Sequence, residues 1–138
     1  MKIVVGIDPG QNTGVATFQN GTLQSLRTIA PHQIREVVAG ADRVIFEDSR
    51  LISFMFTTVK SRPAALKMAR NVGQVDALCS LIVAICEELG IPAHGISPKQ
   101  KGAKLNAKQF EKMTGWAGPS NEHTRDAAAV AWSYRRAA

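Results

Sequence analysis

The chain opens on a continuous apolar run, residues 3–7, and meets a second at 15–18. Asp8, Pro9, Gly10, Gln11, Asn12, Thr13 and Gly14 lie between them. Two β-type runs around a turn rich in Pro, Gly and Asn predict a hairpin. Residues 21–27 alternate apolar and polar, the pattern of a half-buried strand. Asn20-Gly21 before them suits a two-residue hairpin turn, so three antiparallel strands come first. Over 31–39 the period lengthens. Ile34, Val37 and Val38 fall on one side of a short helix that Gly40 ends. Residues 43–47 form another short apolar strand, and it closes on Glu47.

Residues 49–62 keep no period. Phe54, Met55 and Phe56 lie there among Thr57, Thr58, Lys60 and Arg62. A loop this long is often functional. Its aromatics either stack on bases or wedge a duplex, or they anchor the loop to the core. Pro63 suits the start of a helix and pushes Arg62 towards the cap. That helix runs over 63–89, stopped by Gly90 and Pro92. Ala65, Met68, Val72, Val75, Cys79, Ile82, Cys86 and Leu89 make one apolar stripe along it. From Leu78 to Cys86 only Ser80 is polar, which predicts burial on two sides. The outer side is covered either by the chain's own core or by a second subunit. The expectation is a homodimer through this helix.

Residues 91–96 make a fifth strand and 97–108 a polar loop. Asn106 and Gln109 resemble a capping box, and Gly115 follows the short helix they open. Ser120 or Asn121 caps a final helix through Tyr134. Small residues at 127–131 let that helix press against a sheet. The expected architecture is α/β: a mixed five-stranded sheet, three antiparallel strands first, with helices on both faces.

Composition narrows the class. A chain of 138 residues that is 45% hydrophobic is expected to be one globular domain over 1–138. No apolar run reaches the roughly 18 residues that span a bilayer. The start does not read as a signal peptide, so a cytoplasmic location and no membrane partner are expected. Lys and Arg number 17 against 11 acidic residues, and that excess points to a polyanion, nucleic acid first. Cys79 and Cys86 are seven apart on a helix, about 10 Å along its axis. That is too far for a disulfide, so both read as reduced core residues.

Candidate chemistry sits at strand ends. Asp8 closes an apolar strand where a carboxylate gains nothing from burial. Gly6, Gly10 and Gly14 around it leave room for close approach of backbone and ligand. A bound cation or phosphate suits this setting; so does a plain cap on the Pro-Gly turn. Glu47 ends the fourth strand, and Asp126 lies three residues after His123 on one helical face. Three acids far apart in sequence share a site only if the fold gathers them. Gathered, they suit two Mg²⁺ ions about 4 Å apart, which activate water and stabilise the leaving oxyanion in phosphodiester cleavage. An imidazole at 123 would bind a cation or accept a proton, and it would let Mn²⁺ substitute.

Four stations together, Gly6-Ile7-Asp8-Pro9-Gly10…Gly14, Phe46-Glu47, Lys99…Lys104…Ala107 and His123-x-x-Asp126-Ala-Ala-Ala-Val-Ala131, resemble the RuvC-type Holliday junction resolvases. The resemblance spans essentially the whole chain, which is short for the family, as a compact phage or prophage member would be. It implies an RNase H-like fold and a homodimer that nicks four-way DNA junctions with Mg²⁺, leaving a 5′-phosphate and a 3′-hydroxyl. Asp8, Glu47 and Asp126 match the family's metal-binding carboxylates. His123 falls where many members carry a fourth acid. The family's junction-contacting aromatic, three residues beyond its Glu, is replaced by Arg50, so Phe54 or Phe56 would take its task. Arg50, Lys60, Arg62, Lys67, Arg70, Lys99, Lys101, Lys104, Lys108 and Lys112 are the candidate DNA contacts. Two other classes stay open: a non-catalytic binder of branched nucleic acid or an RNA-processing relative, and an actin-like phosphate-binding ATPase, whose phosphate loop also has the Gly-x-Asp-x-Gly pattern.

Overall fold

The computed structural model describes residues 2–52 and 61–136. Strands β1 (Ile3–Asp8), β2 (Thr13–Gln19) and β3 (Thr22–Ile29) lead into a 3-10 turn, Pro31–Gln33, and helix α1 (Ile34–Val38). Strand β4 (Arg43–Glu47) runs into a second such turn, Ser49–Leu51. Then follow α2 (Arg62–Leu89), β5 (Ala93–Ile96), α3 (Ala107–Thr114) and α4 (Glu122–Ala131). The sheet order is β3-β2-β1-β4-β5. β1, β2 and β3 are antiparallel neighbours, while β4 lies parallel to both β1 and β5. This is the mixed five-stranded sheet that the sequence predicts.

Local chemistry sets the boundaries. Asn20 and Gly21 both have positive φ, 52° and 84°, as a twisted two-residue hairpin turn requires. Ser61 caps α2, its Oγ accepting from the Ala64 N–H at 3.2 Å. Arg62 is therefore the first helical residue, not the cap. The hydroxyl satisfies a free N–H that an Arg side chain cannot. At the other end Gly90 takes the left-handed conformation, and the Ile91 N–H donates back to the Cys86 carbonyl at 2.8 Å. Ile91 thus closes the helix, and β5 starts later than predicted, at Ala93. Asn106 and Gln109 do form the capping box of α3, and Asn121, not Ser120, caps α4. After Ala131 the last helix tightens into a 3-10 turn, Trp132–Tyr134.

Strand alternation divides the core in two. Val5, Ile7, Val15, Val44 and Phe46 face α1 and α2, against Ile34, Val38, Cys79, Ile82 and Cys86. Val4, Ala16, Phe18 and Ile45 face the other way, against Phe110 of α3 and Ala127, Ala128, Val130 and Ala131 of α4. Both cysteines are buried and unpaired. Ile82 is wholly buried within its own chain, which stabilises the fold by about 1.5–3 kcal/mol. The stripe Cys79, Ile82, Cys86 is therefore core. The outer side of α2, with Leu66 and Leu81 56% and 41% exposed, is left uncovered by the described residues.

Two glycines set how closely α4 approaches the sheet. A Cβ on Gly6 would lie 2.4 Å from the Ala127 carbonyl oxygen, and one on Gly14 would lie 2.0 Å from that of His123. The room read from the sequence as space for a ligand is filled at these two positions by the helix backbone.

Candidate functional site

The pleat places the first two carboxylates. Asp8 shares a face with Val4 and Gly6, and Glu47 shares one with Ile45, so both point towards α4. β1 and β4 are parallel with Gly6 opposite Ile45 and Ile7 opposite Phe46. The next residue on each strand is the acid, and the carboxylates end side by side. α4 crosses above, carrying Asp126, which is buried, and His123, which is half-exposed with Nδ1 3.8 Å from Asp8 Oδ2.

A cation of the chain's own lies among these acids. Lys101 Nζ stands 2.9 Å from Glu47 Oε2 and 3.3 Å from Asp126 Oδ2, and its side chain is only 13% exposed. Lys104 sits further out, paired with Glu122 and 3.6 Å from Asp126 Oδ2. One ammonium does not balance the site. Asp8 is pushed up to about 7, first by burial and then by the charge of Glu47. Asp126 and a hydrogen bond with Glu47 add to this, and Lys101 opposes it.

Among the described residues no three Asp, Glu, His or Cys side chains already form a group that could hold a metal ion. The donor set nevertheless fits a hard divalent cation. It consists of carboxylate oxygens from two strand ends and from α4, with negative charge in excess and an ammonium standing between two of them. Asp8, Glu47 and Asp126 are the residues that would hold such an ion.

The structure also shows a support that the sequence reading missed. Asp48, directly after Glu47, is buried and takes a two-pronged bond from Arg50, Nε to Oδ1 and Nη2 to Oδ2, each at 2.9 Å. This pairing holds the Asp48 carboxyl below its ordinary range. Arg50 Nη1 reaches Ser80 Oγ on α2 at 3.2 Å. Ser49 Oγ donates to Asp76 Oδ1 at 2.6 Å, and Cys79 Sγ donates to the Glu47 carbonyl at 3.6 Å. Together these bonds clamp the end of β4 onto α2. An acid directly after the strand-end Glu, with Arg two residues on, was the available signal.

The other candidate contacts are spread more widely. Arg62, Lys67 and Arg70 are exposed on the first turns of α2, and Lys99, Lys108 and Lys112 are exposed near α3. Arg50 has its guanidinium engaged as described. Phe54, Phe56 and Lys60 lie outside the described residues. No helix among the described residues is long and apolar enough to cross a membrane.

No protein-family model matches the chain, and no curated protein does. Among solved structures, T. thermophilus RuvC in complex with a Holliday junction substrate matches with a TM-score of 0.64 and 19% sequence identity. The match covers 97% of this chain and 92% of that one. The likeness establishes the fold: an α/β RNase H-like fold, whose three N-terminal strands run antiparallel along one side of the sheet.

Proposed function

We propose that this chain is a divalent-metal-dependent endonuclease that cuts branched DNA, four-way junctions first, as a homodimer. One observation carries the reading. In a fold shared with a junction-bound RuvC, Asp8, Glu47 and Asp126 converge where two adjacent parallel strands end beneath a helix. When bound, Mg²⁺ would supply charge stabilisation for phosphodiester hydrolysis. The chain's residues do the rest. The three carboxylates hold the cation, and the clamp around Asp48 fixes Glu47. Lys99, Lys104 and Lys108 meet phosphates and position the strand without reading sequence. The exposed Leu66 and Leu81 side of α2 is the surface for a second copy, which sedimentation at increasing concentration tests.

The deciding experiment offers labelled four-way junction, linear duplex and RNA–DNA hybrid to the protein in Mg²⁺ and in chelator. Symmetric nicking of the junction, dependent on Mg²⁺, is expected. Binding without cleavage in any metal would make the protein a binder only, and preference for the hybrid would move it to RNA processing.

His123, with Nδ1 3.8 Å from Asp8 Oδ2 and its side chain half-exposed, is the residue we assign to accept a proton from the attacking water. His123→Ala is expected to slow cleavage at least about a hundredfold, the low end for a lost general base, with junction binding intact. Cleavage by this variant at near wild-type rate in both Mg²⁺ and Mn²⁺ would leave a centre of three carboxylates alone.

A further inference from the structure

The segment that carries Lys101 is fixed at both ends. It leaves β5 at Ile96, whose register partner is Glu47. A 3-10 turn, Pro98–Gln100, follows at once, closed by a bond from the Ser97 N–H to Gln100 Oε1 at 2.9 Å and another from the Lys99 N–H to Ser97 Oγ at 3.3 Å. Gly102, with φ +85°, turns the chain away directly after the lysine. At the far end Arg125 of α4 donates Nε to the Leu105 carbonyl and Nη1 to Ser120 Oγ, both at 2.9 Å. The loop is thus tied to the helix that carries Asp126. Of the basic residues in this segment, Lys101 alone is turned inward, between Glu47 and Asp126.

That position has a consequence for any other cation. A divalent ion that bridges Glu47 and Asp126 from the side where the ammonium now sits competes with it for Glu47 Oε2 and Asp126 Oδ2 and repels it at short range. Lys101 and the ion therefore exclude each other from these two carboxylates. A lysine has the means to leave: four flexible carbons and a strongly hydrated head.

We infer that Lys101 is a resident counter-ion that competes with the divalent cation for Glu47 and Asp126. Loading the metal and withdrawing Lys101 are then one linked event. In the metal-free protein the lysine keeps the carboxylates together; in the loaded protein its ammonium is released towards solvent beside Lys104. The inference rests on the metal reading of the site proposed above. The alternative is that Lys101 stays in place with the metal bound and merely orients the two acids.

Mn²⁺ binding by calorimetry, on DNA-free protein, separates these cases. Lys101→Met is expected to bind Mn²⁺ at least about tenfold more tightly than wild type, within the usual range of couplings between linked sites. Lys104→Met, whose main partner is Glu122, should change the affinity much less. Unchanged or weaker binding by Lys101→Met, with wild type binding normally, overturns the competition and leaves the metal site standing. Failure of both proteins to bind overturns the metal site and the inference with it. A second measurement needs no variant. The wild-type protein is acylated with a lysine-specific reagent in chelator and in saturating Ca²⁺, then mapped by mass spectrometry. Labelling of Lys101 should rise several-fold in Ca²⁺. Equal labelling, where Ca²⁺ binds, shows that the lysine does not leave and overturns the proposal.

Discussion

Asp8→Asn is expected to stabilise the metal-free protein at pH 8 and, in the same substitution, to abolish strand cleavage. Burial and the charge of Glu47 raise the Asp8 carboxyl from 3.8 to about 7. Between those values the folded state keeps a proton that the unfolded state has lost. Stability therefore falls as pH rises through that window and levels off above it. The full shift corresponds to about 4 kcal/mol, as an order of magnitude. Asn has the carboxylate's shape without its charge and removes this cost. In urea with chelator, the variant should be the more stable protein at pH 8, and the difference should shrink towards pH 4. If Asp8 belongs to the proposed ligand set, excess divalent cation should reverse the order, because ligand binding stabilises the folded state. Cleavage should drop by more than about a hundredfold, beyond the loss usual for an outer-shell partner. Identical urea curves at pH 8 would show that Asp8 carries no electrostatic strain. Near-native cleavage would remove Asp8 from the active centre.

How much of this could be read from the sequence depends on whether the signal was local. The strands, the α3 capping box and the Asn20-Gly21 turn follow from neighbours a few residues apart, and the structure shows each of them. That Asp8 shares a face with Gly6, and Glu47 one with Ile45, was also implicit in strand alternation. Their adjacency was not, because it depends on β4 returning beside β1 rather than beside β3. The loop over 97–108 has no period, so nothing in it distinguishes Lys101, turned inward, from Lys99 and Lys108, turned outward. Arg50 stands where the resembled family has an aromatic, and from the sequence it counts only as a candidate DNA contact. Its pairing with Asp48 spans only two residues, but it requires the 3-10 turn that brings the side chain back. Gly6 and Gly14 carried a real signal of close approach. What approaches them is a helix from the far end of the chain, which no local pattern identifies.

That helix gives the second large effect. Gly14→Ala should destabilise the protein and disable the site together. The added Cβ would lie 2.0 Å from the His123 carbonyl oxygen, 2.4 Å from its carbon and 3.0 Å from the Thr124 nitrogen. All three are backbone atoms, so no rotamer change relieves the clash. The start of α4 has little freedom to retreat. Asn121 Oδ1 accepts from the Thr124 N–H at 3.0 Å, and Asn121 Nδ2 donates to Thr28 Oγ1 on β3 at 2.9 Å. Crowding of this kind costs about 1–3 kcal/mol and sometimes more. The relief available is a tilt of the first turn away from the sheet, which carries His123 and Asp126 away from Asp8 and Glu47. A displacement near 1 Å is enough to cost about a hundredfold in rate. Gly10→Ala serves as the control, since its Cβ would meet nothing closer than the Asn12 carbonyl oxygen at 3.7 Å. That variant should match wild type in urea and in cleavage. If Gly14→Ala matched it too, α4 would not rest on Gly14. Lost stability with full activity would mean that the helix yields without moving Asp126, and the small residues of the hairpin would then serve packing alone.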